Sequence, residues 1–232
     1  MVFIKLIRFS YKDDAPGFAG LKLPMFAGAF VCILAFALLA RQLQAGGLAA
    51  FDNAVTTWVR AFMSPCLTGW MLLITDLGSL PLVTALTIFT VIYLYARREW
   101  WDGLGITVAS LGSWWLEFRL KLVFQRPRPH LPHLTPATGY SFPSGHALVT
   151  SALFFTLALV YYRHSASRAG RALVLAGAVL LVLLVGISRV YLGVHYPSDV
   201  VAGWAVGGFW TLLIGILLPP AKLRDGSWVS PR

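Results

Sequence analysis

"GYSFPSGHALVTSALFF", residues 139–155, decides how this chain is read. A polar Pro-Ser-Gly-His stands directly ahead of a long apolar run, so the last polar groups before the run are a serine, a glycine and a histidine. Such a run is a candidate bilayer span. Its core is 147–162, and five more apolar cores recur at 24–40, 80–96, 104–116, 172–187 and 200–218. Several fall short of the roughly 20 residues that cross the hydrocarbon, and each extends at one end through semi-polar residues. The expected fold is all-α, a polytopic six-helix transmembrane bundle forming one domain over residues 1–232. The spans are placed at about 24–43, 80–97, 102–122, 144–162, 171–189 and 199–218. The third is the weakest, because Glu117, Arg119 and Lys121 sit at its end.

Composition agrees with a membrane protein. Of 232 residues, 58% are hydrophobic and 12% charged, against about 25% charged in soluble domains. The net charge of +10 points to basic cytoplasmic loops rather than to nucleic acid. Cys32, inside an apolar run, and Cys66, in a loop, suggest neither a disulfide framework nor a metal motif. The N-terminal 22 residues are polar and of mixed charge, and the run after them exceeds a signal-peptide core, so it counts as a span.

Six spans put both termini on one side, with the loops at 97–98 and 163–171. That side gathers twelve of the nineteen Lys and Arg residues and is expected to be cytoplasmic. Trp100, Trp101, Tyr161 and Tyr162 read as interfacial anchors there. The loops 42–79, 123–143 and 190–198 then face outward. In the first, Phe51, Val55, Trp58, Val59 and Phe62 recur at helical spacing, which suits a surface helix, a lid, or ordinary packing over the span ends. Gly203 and Gly207 form a GxxxG, read as close packing within the bundle.

Ionisable residues at span ends are costly and usually functional. Here they cluster three times, each at an outer end: "KLVFQRPRP" (121–129), "PSGH" (143–146) and "SRVYLGVHYPSD" (188–199). Lys121, Arg128 and Arg189 offer three cations to one oxyanion. Ser144 and Gly145 fall where a helix begins, with free N–H groups and a positive dipole end facing out. A phosphate fits that description. Asp199, four residues after His195, can fix its tautomer and leave the other ring nitrogen as nucleophile, while His146 can protonate the leaving oxygen. No acidic cluster offers itself to a divalent metal, and no cofactor is expected.

The three stretches match the signature of the type 2 phosphatidic acid phosphatase superfamily, KxxxxxxRP, PSGH and SRxxxxxHxxxD, at every motif position, over about a third of the chain. The resemblance implies a metal-independent phosphatase working through a phosphohistidine. His195 would be the nucleophile, Asp199 its partner and His146 the acid. Lys121, Arg128, Ser144, Gly145 and Arg189 would bind phosphate. Soluble vanadium haloperoxidases share the architecture, but six spans argue against that branch.

The resulting expectation is a phosphatase of lipid phosphates or diphosphates in a bacterial inner membrane, with its site facing outward. Its partners would be the bilayer and a lipid substrate, with no nucleic acid and no required protein. Undecaprenyl diphosphate or phosphatidylglycerophosphate is favoured on family membership alone. A non-catalytic lipid-phosphate binder or transporter, and a phosphatase of soluble periplasmic esters, are the alternatives. Around the motifs, Glu117 can orient Lys121 across one helical turn. Arg126 reads equally as an aid to a second phosphate or head group and as a solvated arginine. Arg119 and Asp76 line the entrance or simply end their segments. His130, His133 and His164 read as solvated surface.

Overall fold

The computed structural model describes residues 21–165 and 167–219. Among these are eight helices and no strand: α1 (Lys22–Gln44), α2 (Ala49–Arg60), α3 (Pro65–Asp76), α4 (Leu80–Ala96), α5 (Trp100–Phe124), α6 (Gly145–His164), α7 (Arg168–Tyr191) and α8 (Pro197–Leu217). Helices α1 and α4 to α8 lie where spans were expected.

They are not equally fit to cross a bilayer. Helices α1, α6, α7 and α8 are long and apolar enough. Helices α3 and α4, bent by 44° at a short break, supply a fifth span when taken together. Helix α5 has 25 residues, about 37 Å at 1.5 Å per residue, but it carries Asp102, Glu117, Arg119 and Lys121. Alone, α4 has only 17 residues. The six apolar spans expected are therefore four, or five, by length and composition. The tail residues that weighed in the charge count lie outside the described residues, apart from Lys22.

Helix α6 is central, packing against α5, α7 and α8. Its buried residues include Gly145, Ala147, Leu148, Thr150, Leu153 and Thr156, so its first two turns are covered on every side. Helix α8 reaches it through the GxxxG. A Cβ on Gly203 would lie 2.6 Å from the Ser144 carbonyl oxygen, and one on Gly207 2.5 Å from that of Leu148. The pair lets two backbones meet within one chain. Helix α1 lies along α8 and turns Leu23, Phe26, Phe30 and Val31 outward, as a lipid-facing helix does.

The 45–79 segment holds two helices. The expected amphipathic helix is α2, but its inner face differs from the aromatic stripe. Val55 and Val59 pack against Val190, Leu192 and Val194, whereas Phe51, Trp58 and Phe62 are exposed. The polar Asp52, one turn before Val55, points inward and is 1% exposed. Helix α3 follows, with Pro65 at its first position and the Ser64 hydroxyl accepting from the Leu67 N–H at 3.3 Å.

Candidate active site

The C-terminal ends of α5 and α7 and the N-terminal ends of α6 and α8 lie at the same end of the bundle, and local chemistry sets each boundary. Helix α5 stops at Gln125, in a left-handed conformation (φ 45°), because Pro127 and Pro129 cannot continue a helix. Helix α6 starts at Gly145 with Ser144 at its N-cap. The tight turn from α7 to α8 needs Gly193 at φ +77°. In that turn the N–H groups of Val194 and His195 reach back to the Arg189 carbonyl at 3.2 and 3.3 Å. Pro197 opens α8, and Asp199 in its first turn accepts the Tyr196 N–H at 2.9 Å. The Ser144 N–H donates to the Asp199 carbonyl at 2.9 Å, tying the starts of α6 and α8 together.

All eight residues singled out from sequence are brought to this end. His195 is 2% exposed. Its Nδ1 lies 3.4 Å from Asp199 Oδ2 and 3.4 Å from the Ser141 hydroxyl, and its Nε2 lies 3.2 Å from Arg128 Nη1. A guanidinium only donates, so Nε2 is the bare, accepting nitrogen and Nδ1 carries the proton. Burial pushes the imidazole down to about 4; Asp199 opposes the shift, and Arg189 and Arg128 reinforce it. His195 is thus neutral at pH 7, with a lone pair facing a cation.

Arg128 also donates to the carbonyls of Val194 (2.8 Å), Gly139 (3.1 Å) and Thr138 (2.7 Å), clamping the 125–143 loop over the turn. Lys121 meets Glu117 at 2.7 Å, as its i, i+4 spacing suggested. That carboxylate presses on the start of α6, where a Cβ on Gly145 would overlap it. Arg189 Nη1 donates to the Thr75 hydroxyl at 2.7 Å. His146 is half-buried, lies in the field of Arg189, His195, Lys121 and Arg128, and is backed by Gly78. The Ser144 hydroxyl and Arg189 Nε are buried with no hydrogen-bond partner among the described residues. Two unmet groups among three cations describe a place for an oxyanion.

Four contributors were not read from the sequence. Ser141, fully buried, donates to Asp199 Oδ2; its only signal was its place two residues before the PSGH. Thr75 and Gly78 come from the α3–α4 bend, and Asp52 from α2. Arg126, read as a second-phosphate ligand or a solvated arginine, is neither. It is paired at 2.6 Å with both Asp52 of α2 and Asp199 of α8. Asp76 ends α3 and, like Arg119, is exposed. His133 lies 3.1 Å from the Pro129 carbonyl, and His130 is exposed. His164 is not free surface: it meets Asp102 at 2.6 Å, beside an Arg163–Asp102 pair at 2.9 Å, at the other end of α5 and α6. Glu99, Asp102 and His164 come near enough to hold a cation, but the Arg163 guanidinium already offsets the Asp102 charge.

Known proteins share sequence and fold with this chain. Phosphatidylglycerophosphatase B of Bacillus subtilis (strain 168) is 29% identical over 177 residues, covering 75% of this chain and 86% of that protein. Lipid A 1-phosphatase of Rhizobium etli is 36% identical over 142 residues, 55% of this chain and 57% of that protein. The crystal structure of a transmembrane PAP2-type phosphatidylglycerolphosphate phosphatase from Bacillus subtilis matches with a TM-score of 0.75 at 28% identity, covering 80% of this chain and 93% of that one. The PAP2 superfamily profile matches residues 102–221, more than half of the chain and the whole of the three motifs, so this protein belongs to the PAP2 superfamily.

Proposed function

We propose that this chain is a multi-pass inner-membrane phosphatase that hydrolyses a lipid phosphate or diphosphate at the outer face through a phosphohistidine. The observation that carries it is the bare Nε2 of a neutral, buried His195, 3.2 Å from Arg128 and in the field of Arg189. Nε2 attacks phosphorus and forms the N–P bond as the bond to the leaving oxygen breaks; His146 gives that oxygen its proton. Water then attacks phosphorus, His146 takes the water proton, and the N–P bond breaks to release phosphate. Lys121, Arg128 and Arg189, with the Ser144 hydroxyl and the Gly145 end of α6, hold the equatorial oxygens. Catalysis is then mostly positioning and charge stabilisation.

Support for a lipid comes from membrane helices around the site and from an apolar groove between α4 and α5. The groove, about 390 Å³, is lined by Val83, Thr87, Val91, Ser110, Leu111 and Trp114. Two of its lining residues are near the site in sequence: Val83 follows Gly78, which lies against His146, by five residues, and Trp114 precedes Glu117 by one turn. On this reading α5 also crosses the bilayer, which gives six crossings with both termini on one side, and the excess of Lys and Arg on that side favours the cytoplasm. The similar phosphatidylglycerophosphatase B favours phosphatidylglycerophosphate, with undecaprenyl diphosphate as the second candidate.

Phosphate release from a panel of purified lipid phosphates tests this reading. A long-chain substrate is expected to have the higher kcat/KM than its short-chain analogue; equal values would indicate a phosphatase of soluble esters, and binding without release a transporter or binder. Turnover is also expected to survive chelators and to be inhibited by vanadate, a five-coordinate phosphorus mimic. A requirement for added magnesium would exclude this mechanism.

A further inference from the structure

The outer helix α2 reaches the proposed nucleophile through an unbroken chain of ion pairs and hydrogen bonds. Asp52, 1% exposed, accepts the Ser198 N–H at 2.9 Å on Oδ1, and the Ser198 hydroxyl at 2.8 Å and Arg126 Nη2 at 2.6 Å on Oδ2. Arg126 turns its other terminal nitrogen, Nη1, to Asp199 Oδ1 at 2.6 Å and to the Ser198 hydroxyl at 2.8 Å. Its guanidinium also stacks on the Tyr196 ring, 3.9 Å from the centroid. Asp199 is left with Oδ2 for Ser141, the Tyr196 N–H and His195 Nδ1. Both carboxylates are buried, and one planar cation bridges them.

A carboxylate with both oxygens free can rotate about its last bond. Holding Oδ1 on a fixed guanidinium removes that freedom and aims Oδ2 at the imidazole. Partners of this kind fix the tautomer and ring orientation of a functional histidine. The arrangement is costly unless complete, since a buried ion pair that loses one partner leaves an uncompensated charge.

We propose that Arg126 and Asp52 are positioning residues of the reaction, holding Asp199 so that His195 keeps its Nδ1 proton and presents Nε2 to phosphorus. On this view α2 is part of the catalytic framework rather than only a cover. The inference rests on the reading of His195 as nucleophile.

The test compares Arg126→Met, Arg126→Lys, Asp52→Asn and their combination with His195→Ala in detergent-purified full-length protein. The expected result for Arg126→Met is a kcat loss on the order of ten- to a hundredfold, the range for partners that orient a functional side chain, with KM changed less than about threefold. Arg126→Lys should recover part of kcat, because one of two ion pairs can re-form. Asp52→Asn should lower kcat in the same direction, and the double variant should lose less than the product of the two single losses. A structural role alone would reduce the folded yield without this split between kcat and KM. Normal kcat in folded Arg126→Met overturns the proposal, as does a rise in KM at unchanged kcat, which would make Arg126 a substrate ligand. Should Arg126→Met not fold, normal kcat in the near-isosteric Asp52→Asn has the same force. An active His195→Ala would instead defeat the nucleophile assignment, while an inactive one beside fully active Arg126 and Asp52 variants defeats this inference alone.

Discussion

His195→Ala is expected to abolish turnover, by at least about four orders of magnitude, the scale on which removal of a catalytic nucleophile acts. The folded bundle should survive. Asp199 Oδ2 keeps Ser141 and the Tyr196 N–H, Asp199 Oδ1 keeps Arg126, and Arg128 keeps three carbonyls. The missing ring leaves a buried cavity, and the cost is a few kcal/mol at most for a truncation of this size. Rapid quenching at alkaline pH, where a phosphohistidine persists and a phosphoserine is distinguishable, should show label on the wild-type protein and none on the variant. A variant that stays folded and hydrolyses substrate at the wild-type rate would show that another group attacks phosphorus.

The three charged clusters could be read as one site because each lies at a helix end. Alternating chain direction then brings 121–129, 143–146 and 188–199 to the same side. Helix limits were legible for the same reason: Pro127 and Pro129 end α5, Pro197 opens α8, and the apolar runs fill what lies between. Whether α5 is a span was less legible, because hydropathy reads composition while α5 pairs Glu117 with Lys121 and sets the Glu117 carboxylate against the start of α6.

What stayed hidden depends on long-range contacts. Asp52 drew no reading, because the apolar spacing of its helix, Phe51, Val55, Trp58, Val59 and Phe62, suited a surface helix, a lid or packing over the span ends alike. Only docking of α2 on α7 and α8 shows that Val55 and Val59 go inward and carry Asp52 with them. Arg126 was ambiguous for a related reason: it sits in a basic loop, and its partners are 74 and 73 residues away. His164 read as surface because nothing local reveals that the two ends of α5 and α6 bring Asp102 beside it.

Arg189→Ala carries the second large effect, a loss of kcat/KM on the order of a hundredfold or more, as for removal of an oxyanion donor. Arg189 is 5% exposed, and it donates a hydrogen bond to the Thr75 hydroxyl. Its Nε is buried with no hydrogen-bond partner among the described residues, and Arg128 acts on it as a like charge. A buried cation in that position is costly until an anion arrives, so phosphate or vanadate should stabilise the wild-type protein strongly. Binding to the folded state alone raises Tm as ligand exceeds Kd. The variant should lose most of that ligand-induced rise while keeping a similar Tm without ligand, since relief of the buried charge and of the repulsion with Arg128 is offset by loss of the hydrogen bond to Thr75 and of the attraction to Glu117 and Asp76. Arg189→Lys should restore little, because an ammonium cannot offer Nε and Nη together to one oxyanion while still reaching Thr75. Thermal unfolding with and without vanadate, beside steady-state kinetics, measures both effects on one sample. An undiminished vanadate shift in Arg189→Ala would place the anion elsewhere and remove Arg189 from the site.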